Sequence, residues 1–389
     1  MKKYRLILLL LVWYQISYAQ NDTTHIIQKP NVFEAIESSR ISSENTKSGK
    51  TNFEHWSYST KPHAIVGYLG SIFQGGFSNE KSSSNWHYDI GAIYRGKLIN
   101  SKAYKLNIHA WVEHTNLLGG SAPKKFAKDL QMFSVTNASD ASNASFSLEY
   151  LHIENFFFDG FWDVSVGKLE PLFYMTFADY SGWDKLTFFS KTTASDPVPD
   201  MDGAFGFYTE LNFSDHISIG GQIIDDNPRN EYLDPANFFL NTSYAYQGFV
   251  RVSIPSQKKL YSSHVFDVYS YESSSEKSSG NGWIYVGNQG LTKRFILTMK
   301  LSNGQGRILS YNGAYSAGIV LLRPFNRAGE QFGAALQINE LKEQYEYGID
   351  SYYKFFLFEW ITASVNTQLY YTKNKKLAFI PGVRVMMTY

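Results

Sequence analysis

The stretch "FIPGVRVMMTY", Phe379 to Tyr389, decides the fold. Side chains alternate along an extended chain. Phe379, Pro381, Val383, Val385, Met387 and Tyr389 therefore share one face, and Gly382, Arg384 and Thr388 share the other. Terminal residues of soluble domains usually fray and are polar unless something ties them down. A segment that stays half greasy and half wet up to its final aromatic residue asks for a sheet closed against lipid, with this strand pairing to the first.

The same period-two texture begins near His63. Lys105, Asn107, His109, Trp111 and Glu113 alternate with Leu106, Ile108, Ala110 and Val112, and Arg294, Ile296, Thr298 and Lys300 alternate with Phe295, Leu297, Met299 and Leu301. Each run has roughly the ten residues that a tilted membrane strand needs. About sixteen such runs are predicted, near 63–73, 86–98, 104–115, 146–156, 161–169, 203–212, 216–225, 243–254, 263–270, 282–288, 293–302, 313–322, 331–340, 344–358, 361–371 and 378–389. Their connections alternate long and short. "QGGFSNEKSSSN" precedes the short "INSKA", the stretch 116–145 precedes "FFDG", and 170–202 precedes a tight turn at Ser214 and Asp215. Outer-membrane barrels show this rhythm, with long loops outside and short periplasmic turns. A soluble β-sandwich or solenoid also alternates, but rarely places so many aromatics near strand ends. Tyr104, Trp111, Tyr150, Phe157, Phe158, Trp162, Tyr353, Phe356, Trp360 and Tyr371 are expected in the girdles of a transmembrane antiparallel β-barrel.

The first nineteen residues carry Lys2, Lys3 and Arg5, then the apolar run Leu6 to Trp13, then Ser17-Tyr18-Ala19. This is the pattern of a secretory signal peptide cleaved after Ala19. Residues 20–52 are polar, and the spacing of Asn31 and Glu34 suggests a helix start in a periplasmic N-terminal segment. Residues 53–389 are expected to form the barrel, in the outer membrane of a Gram-negative bacterium. Beyond the leader no apolar stretch approaches the length of a membrane helix, although 17% of residues are Phe, Trp or Tyr. With 36 basic and 35 acidic side chains the net charge is +1, which argues against a nucleic-acid partner. The chain has no cysteine, so disulfides and thiol chemistry are absent.

No metal, cofactor or catalytic motif emerges, and the protein reads as a non-enzyme. Ala314-Tyr315-Ser316-Ala317-Gly318 lacks the first glycine of a nucleophile elbow and lies in a predicted strand, so it is expected to be lipid-facing packing. The strands do offer a charged inner wall. Parity places Asp89, Arg95, Lys97, Lys105, Glu113, Glu210, Arg251, Lys300, Glu346, Asp350, Lys354 and Arg384 in the lumen, since a charge facing hydrocarbon costs ~2–4 kcal/mol near the midplane. Sixteen strands leave an aqueous channel. The connection 170–202 holds Phe173, Tyr174, Phe177, Tyr180, Trp183, Phe188 and Phe189 beside Asp179, Asp184 and Lys185. So aromatic a loop needs burial, and folding inward as a constriction loop would provide it. Aromatic plates beside carboxylates, amides and bases suit sugars, which present CH faces and hydroxyls.

"LEYLHIENFFFDGFWDVSVGKLEP" (Leu148 to Pro171), "DPVPDMDGAFGFYTELNFSDHISIGGQIIDDN" and the C-terminal stretch from Tyr352 resemble the carbohydrate-selective outer-membrane porins of the OprB family. The resemblance covers roughly half the chain. It implies a monomeric or trimeric pore passing glucose and related sugars by facilitated diffusion. The C-terminal strand would be read by the barrel-assembly machinery. Candidate pore-lining or sugar-binding residues are Arg95, Lys97, Glu113, Lys168, Tyr174, Trp183, Asp184, Glu210, Arg251, Lys300, Asp350 and Arg384. Lys168, within the Gly-Lys-Leu of the resemblance, shares parity with Val164 and Val166 and reaches the lumen only if the strand end turns it. Alternative readings are a general or anion-preferring porin, a hydrophobic-compound transporter with residues 20–52 as plug, and a barrel lipase.

Overall fold

The computed structural model describes residues 62–78, 81–101, 103–134, 145–169, 188–194, 204–214, 216–226, 244–254, 262–274, 277–306, 311–327, 329–342, 344–358, 360–371 and 377–388. The leader and the segment 20–52 lie outside them. So do Tyr174, Trp183, Asp184 and Tyr389.

Sixteen antiparallel strands close into one barrel in sequence order. They are β1 (His63–Ser78), β2 (Ser82–Asn100), β3 (Tyr104–Gly120), β4 (Ser145–Phe157), β5 (Trp162–Leu169), β6 (Ala204–Asn212), β7 (Ile217–Asp225) and β8 (Tyr244–Ile254) in the first half. The second half comprises β9 (Ser262–Ser273), β10 (Ser278–Gly290), β11 (Phe295–Gln305), β12 (Gly313–Leu322), β13 (Gln331–Leu341), β14 (Gln344–Phe358), β15 (Ile361–Tyr371) and β16 (Leu377–Thr388). Two short helices, α1 (Pro123–Asp129) and α2 (Lys191–Ala194), sit in the second and third long connections. The last strand pairs with the first, from Tyr68 opposite Thr388 to Ser78 opposite Ala378. Closure leaves no free edge, the condition for crossing a membrane as a sheet. Among the described residues no helix is long and apolar enough to cross one.

Burial alternates strand by strand. In β16 Phe379 and Val383 are exposed, whereas Ala378, Ile380, Gly382, Arg384, Met386 and Thr388 are buried. The outer surface carries an aliphatic belt that includes Ile90, Val250, Val268, Ile319, Leu336, Ile349, Val365 and Val383, all exposed. At the short-turn end aromatic rings flank the belt. Tyr104 and Phe157 lie 5.1 Å apart, Phe157 and Trp162 5.2 Å, and Phe358 and Trp360 6.0 Å. Rings at that depth suit the headgroup layer.

Three sequence expectations change. "QGGFSNEKSSSN" is mostly strand: Gln74 pairs with Asn85, Gly75 with Ser84, Gly76 with Ser83 and Phe77 with Ser82. Glycine and serine are weak strand formers, but ladder pairing and packing inside override propensity here, as Leu130 and Phe126 close over Gly76. Trp111 and Tyr150 belong to the inner wall rather than a girdle. The Trp111 Nε1 donates to Tyr68 Oη at 2.7 Å, and Tyr150 is buried. Of the motif 314–318, Tyr315 and Ala317 face outward, but Ala314 and Ser316 are buried on the inner face, because alternation divides any such stretch between both faces.

Candidate functional site

The barrel interior is built around β13 to β16, where two connections fold inward and attach. From the second long connection, α1 begins with Pro123 and buries Phe126 and Ala127. With Leu130 and Met132 these pack on Tyr370, Ala378 and Ile380 of the inner wall. Lys124, Lys125 and Lys128 occupy the opposite, exposed face. The chain then runs to Glu346, whose two carboxylate oxygens accept the Phe133 N–H at 2.9 Å and the Ser134 N–H at 2.7 Å.

The described end of the third connection docks beside it. Phe188 inserts among Ile296, Val320, Ala335 and Tyr352, with its ring edge-on to Tyr352 at 4.9 Å. The close approach of Tyr352 to the wall requires glycine opposite, since a Cβ on Gly333 would clash with the tyrosine ring. Phe189 lies under the Arg384 guanidinium at 4.8 Å, a cation–π contact. Asp350 holds the backbone. Its Oδ2 accepts from the Phe189 N–H at 3.2 Å, the Ser190 N–H at 2.9 Å and the Thr193 hydroxyl at 3.1 Å. Asn366 and Gln368 steady the same carboxylate at 2.7 and 3.3 Å. Further bonds run from Ser190 Oγ to Gln337 Oε1 and from Thr192 Oγ1 to Asn339 Oδ1, each 2.7 Å. A polar strip on two adjacent strands thus receives both inward segments.

Across the lumen the charges pair with one another. Arg251 grips Asp267 through Nε at 2.9 Å and Nη2 at 3.0 Å, and its Nη1 lies 3.6 Å from Glu210. Tyr208 Oη donates to Glu210 at 2.5 Å. A bidentate arginine fork of this kind is the strong form of a charged hydrogen bond. Nearer β3 and β4, Glu154 accepts from Asn107 at 3.1 Å and contacts His109 at 3.1 Å, while His109 stacks on His152 at 5.0 Å.

The candidate residues divide accordingly. Asp350 and Arg384 converge on the segment carrying Phe189, and Glu210 and Arg251 converge on Asp267. Glu113 is on the inner face and accepts from Tyr68. Arg95 on β2 and Lys300 on β11 are buried on the inner face. Lys97 is half-buried at a register shift between Lys97 and Ile99. Lys168 is buried and follows Gly167, whose φ of 139° interrupts the strand alternation there. Sequence reading gave α1, Gln337, Asn339 and Asp267 no role. Parity alone would have put Gln337, Asn339 and Asp267 inside, but their loop and cross-strand partners come from over 140 residues away in the first two cases.

No protein-family model matches this chain, and no curated protein matches it. Among solved structures, the high-pH structure of Pseudomonas putida OprB aligns with a TM-score of 0.67 at 13% identity, over 84% of this chain and 94% of that one. The low-pH structure of the same protein gives 0.50 at 12% identity, over 84% and 93%. The sixteen-stranded closed barrel is therefore an OprB-like porin fold.

Proposed function

We propose that this protein is a passive outer-membrane pore that admits small solutes and favours sugars over charged or zwitterionic ones of equal size. The observation that carries the reading is the inward docking of residues 188–194 onto β13 to β16. Such a segment narrows a barrel wide enough to hold water. Gln337, Asn339, Asn366 and Gln368 are spent in holding that segment or its anchor Asp350, whereas the wall opposite presents the amides Gln222 and Gln247 on the inner face. Amides both donate and accept, the chemistry a polyol requires. Arg251 is outnumbered by Glu210 and Asp267 in its own cluster and so offers an anion little attraction. The resemblance of the chain to carbohydrate-selective porins points the same way. The candidate set Arg95, Lys97, Glu113, Lys168, Tyr174, Trp183, Asp184, Glu210, Arg251, Lys300, Asp350 and Arg384 is proposed as the lining that solute meets directly or through the docked segments.

Liposome swelling with the purified, refolded protein tests this. Glucose is expected to enter faster than a zwitterionic amino acid of similar size. Rates that follow size alone would mark a general diffusion pore, and no swelling with any solute would remove the pore reading altogether.

A further inference from the structure

Asn339 sits fully buried on the inner face of β13 and bonds to both inward segments at once. Its Oδ1 accepts the Thr192 hydroxyl at 2.7 Å, and its Nδ2 donates to Ser134 Oγ at 2.6 Å. In the barrel register Asn339 stands opposite Glu346, the carboxylate that receives the Phe133 and Ser134 N–H groups. Ser134 and Thr192 are remote in sequence, so this amide joins two separate connections through one side chain.

We propose that Asn339 is a positioning residue that couples the segments 123–134 and 188–194, so that the constriction loosens or tightens as one unit. This rests on the pore reading above for its functional meaning. The chemistry demands an amide, because the carbonyl and the NH2 group serve different partners and each bond fixes the orientation that the other needs. Aspartate at this position would set a second carboxylate opposite Glu346, and like charges directly opposite destabilise a strand pair. A hydrophobic side chain would cut both bonds together. Loss of either partner frees the amide to rotate and weakens its hold on the other segment. The coupling must then be reciprocal.

The chain has no cysteine, so an introduced thiol is unique. Ala127→Cys places one on the buried face of α1, and Thr193→Cys places one in the other segment at the loss of a hydroxyl bond to Asp350, so every rate is compared with that of its own parent thiol variant. Each full-length variant is reconstituted in vesicles, and its rate of labelling by a membrane-impermeant maleimide reports undocking of that segment. Thr192→Val, which removes a bond in one segment, is expected to speed labelling of Ala127→Cys in the other about fivefold, the effect of one neutral hydrogen bond. Ser134→Ala should speed labelling of Thr193→Cys by the same factor. Asn339→Leu should speed both. If Asn339→Leu fails to fold, the two loop variants still decide the matter. Absence of the cross effect in either direction overturns the proposal. Solute swelling of the same vesicles separates the two claims. Cross effects without solute entry would sink the pore and leave the coupling, and solute entry without cross effects would do the reverse.

Discussion

Replacing Asp350 with leucine should release the residues that narrow the lumen, and the structure sets the size of the effect. Asp350 is fully buried and accepts two backbone N–H groups and one hydroxyl from residues 189–193. Removing the carboxylate leaves buried donors unmet, at ~1–3 kcal/mol each. Counting the two N–H groups alone, docking loses ~2–6 kcal/mol. Against this stand Phe188 and Phe189, both buried, each contributing ~1.5–3 kcal/mol of apolar burial. The terms are of similar size, so docking should become marginal while the barrel itself stays closed. A change of ~2 kcal/mol raises the undocked population roughly thirtyfold. Planar-bilayer recordings of Asp350→Leu should therefore show frequent visits to a larger conductance level. Asp350→Asn is the matched control. Its carbonyl keeps the backbone N–H groups, and the Asn366 amide can reverse to accept from the new NH2 group. Unitary conductance unchanged in Asp350→Leu, or raised equally in both variants, would refute the reasoning.

Three further outcomes follow from the same geometry. Gly333→Val should displace the Tyr352 ring and with it Phe188, raising conductance as Asp350→Leu does and lowering the unfolding temperature in detergent; an unaltered pore and melting curve would show that the ring has room to shift. Asp267→Asn removes the buried charge that grips half-buried Arg251 and should cost at most ~3 kcal/mol, read as a lower urea midpoint for unfolding from vesicles, whereas an unchanged midpoint would mean Glu210 alone suffices. The triple change of Lys124, Lys125 and Lys128 to glutamate reverses the charge on the exposed face of α1 and should shift the reversal potential in a salt gradient toward cation preference; no shift would place those lysines away from the ion path.

The barrel was legible in the sequence because strand parity is a local property. Phe379 to Thr388 already separates the lipid face from the lumen face, and the pairing of β1 with β16 follows from closure. The polar strip was half legible. Parity alone put Glu346 and Asp350 inside, but nothing local says that they receive backbone N–H groups of residues 133–134 and 189–190, which lie more than 150 residues away. The burial of 188 and 189 was readable from two adjacent phenylalanines in a loop. The inward folding of α1 was not, since "PKKFAKDLQM" has only Phe126, Leu130 and Met132 as large apolar groups, a pattern that a surface helix would share. Strand extension through Gly75 and Gly76 was not legible either, as composition there favours a loop and only the ladder to β2 shows otherwise.

The proposed preference for sugars requires that solute touch the narrowed lumen as it passes. Ion current through single reconstituted barrels, recorded while glucose is added, tests this most directly against a polyethylene glycol of similar size. A saturable fall in current with glucose, where the glycol produces only a linear decline with viscosity, is the predicted result. Equal, unsaturating declines for both solutes would contradict it.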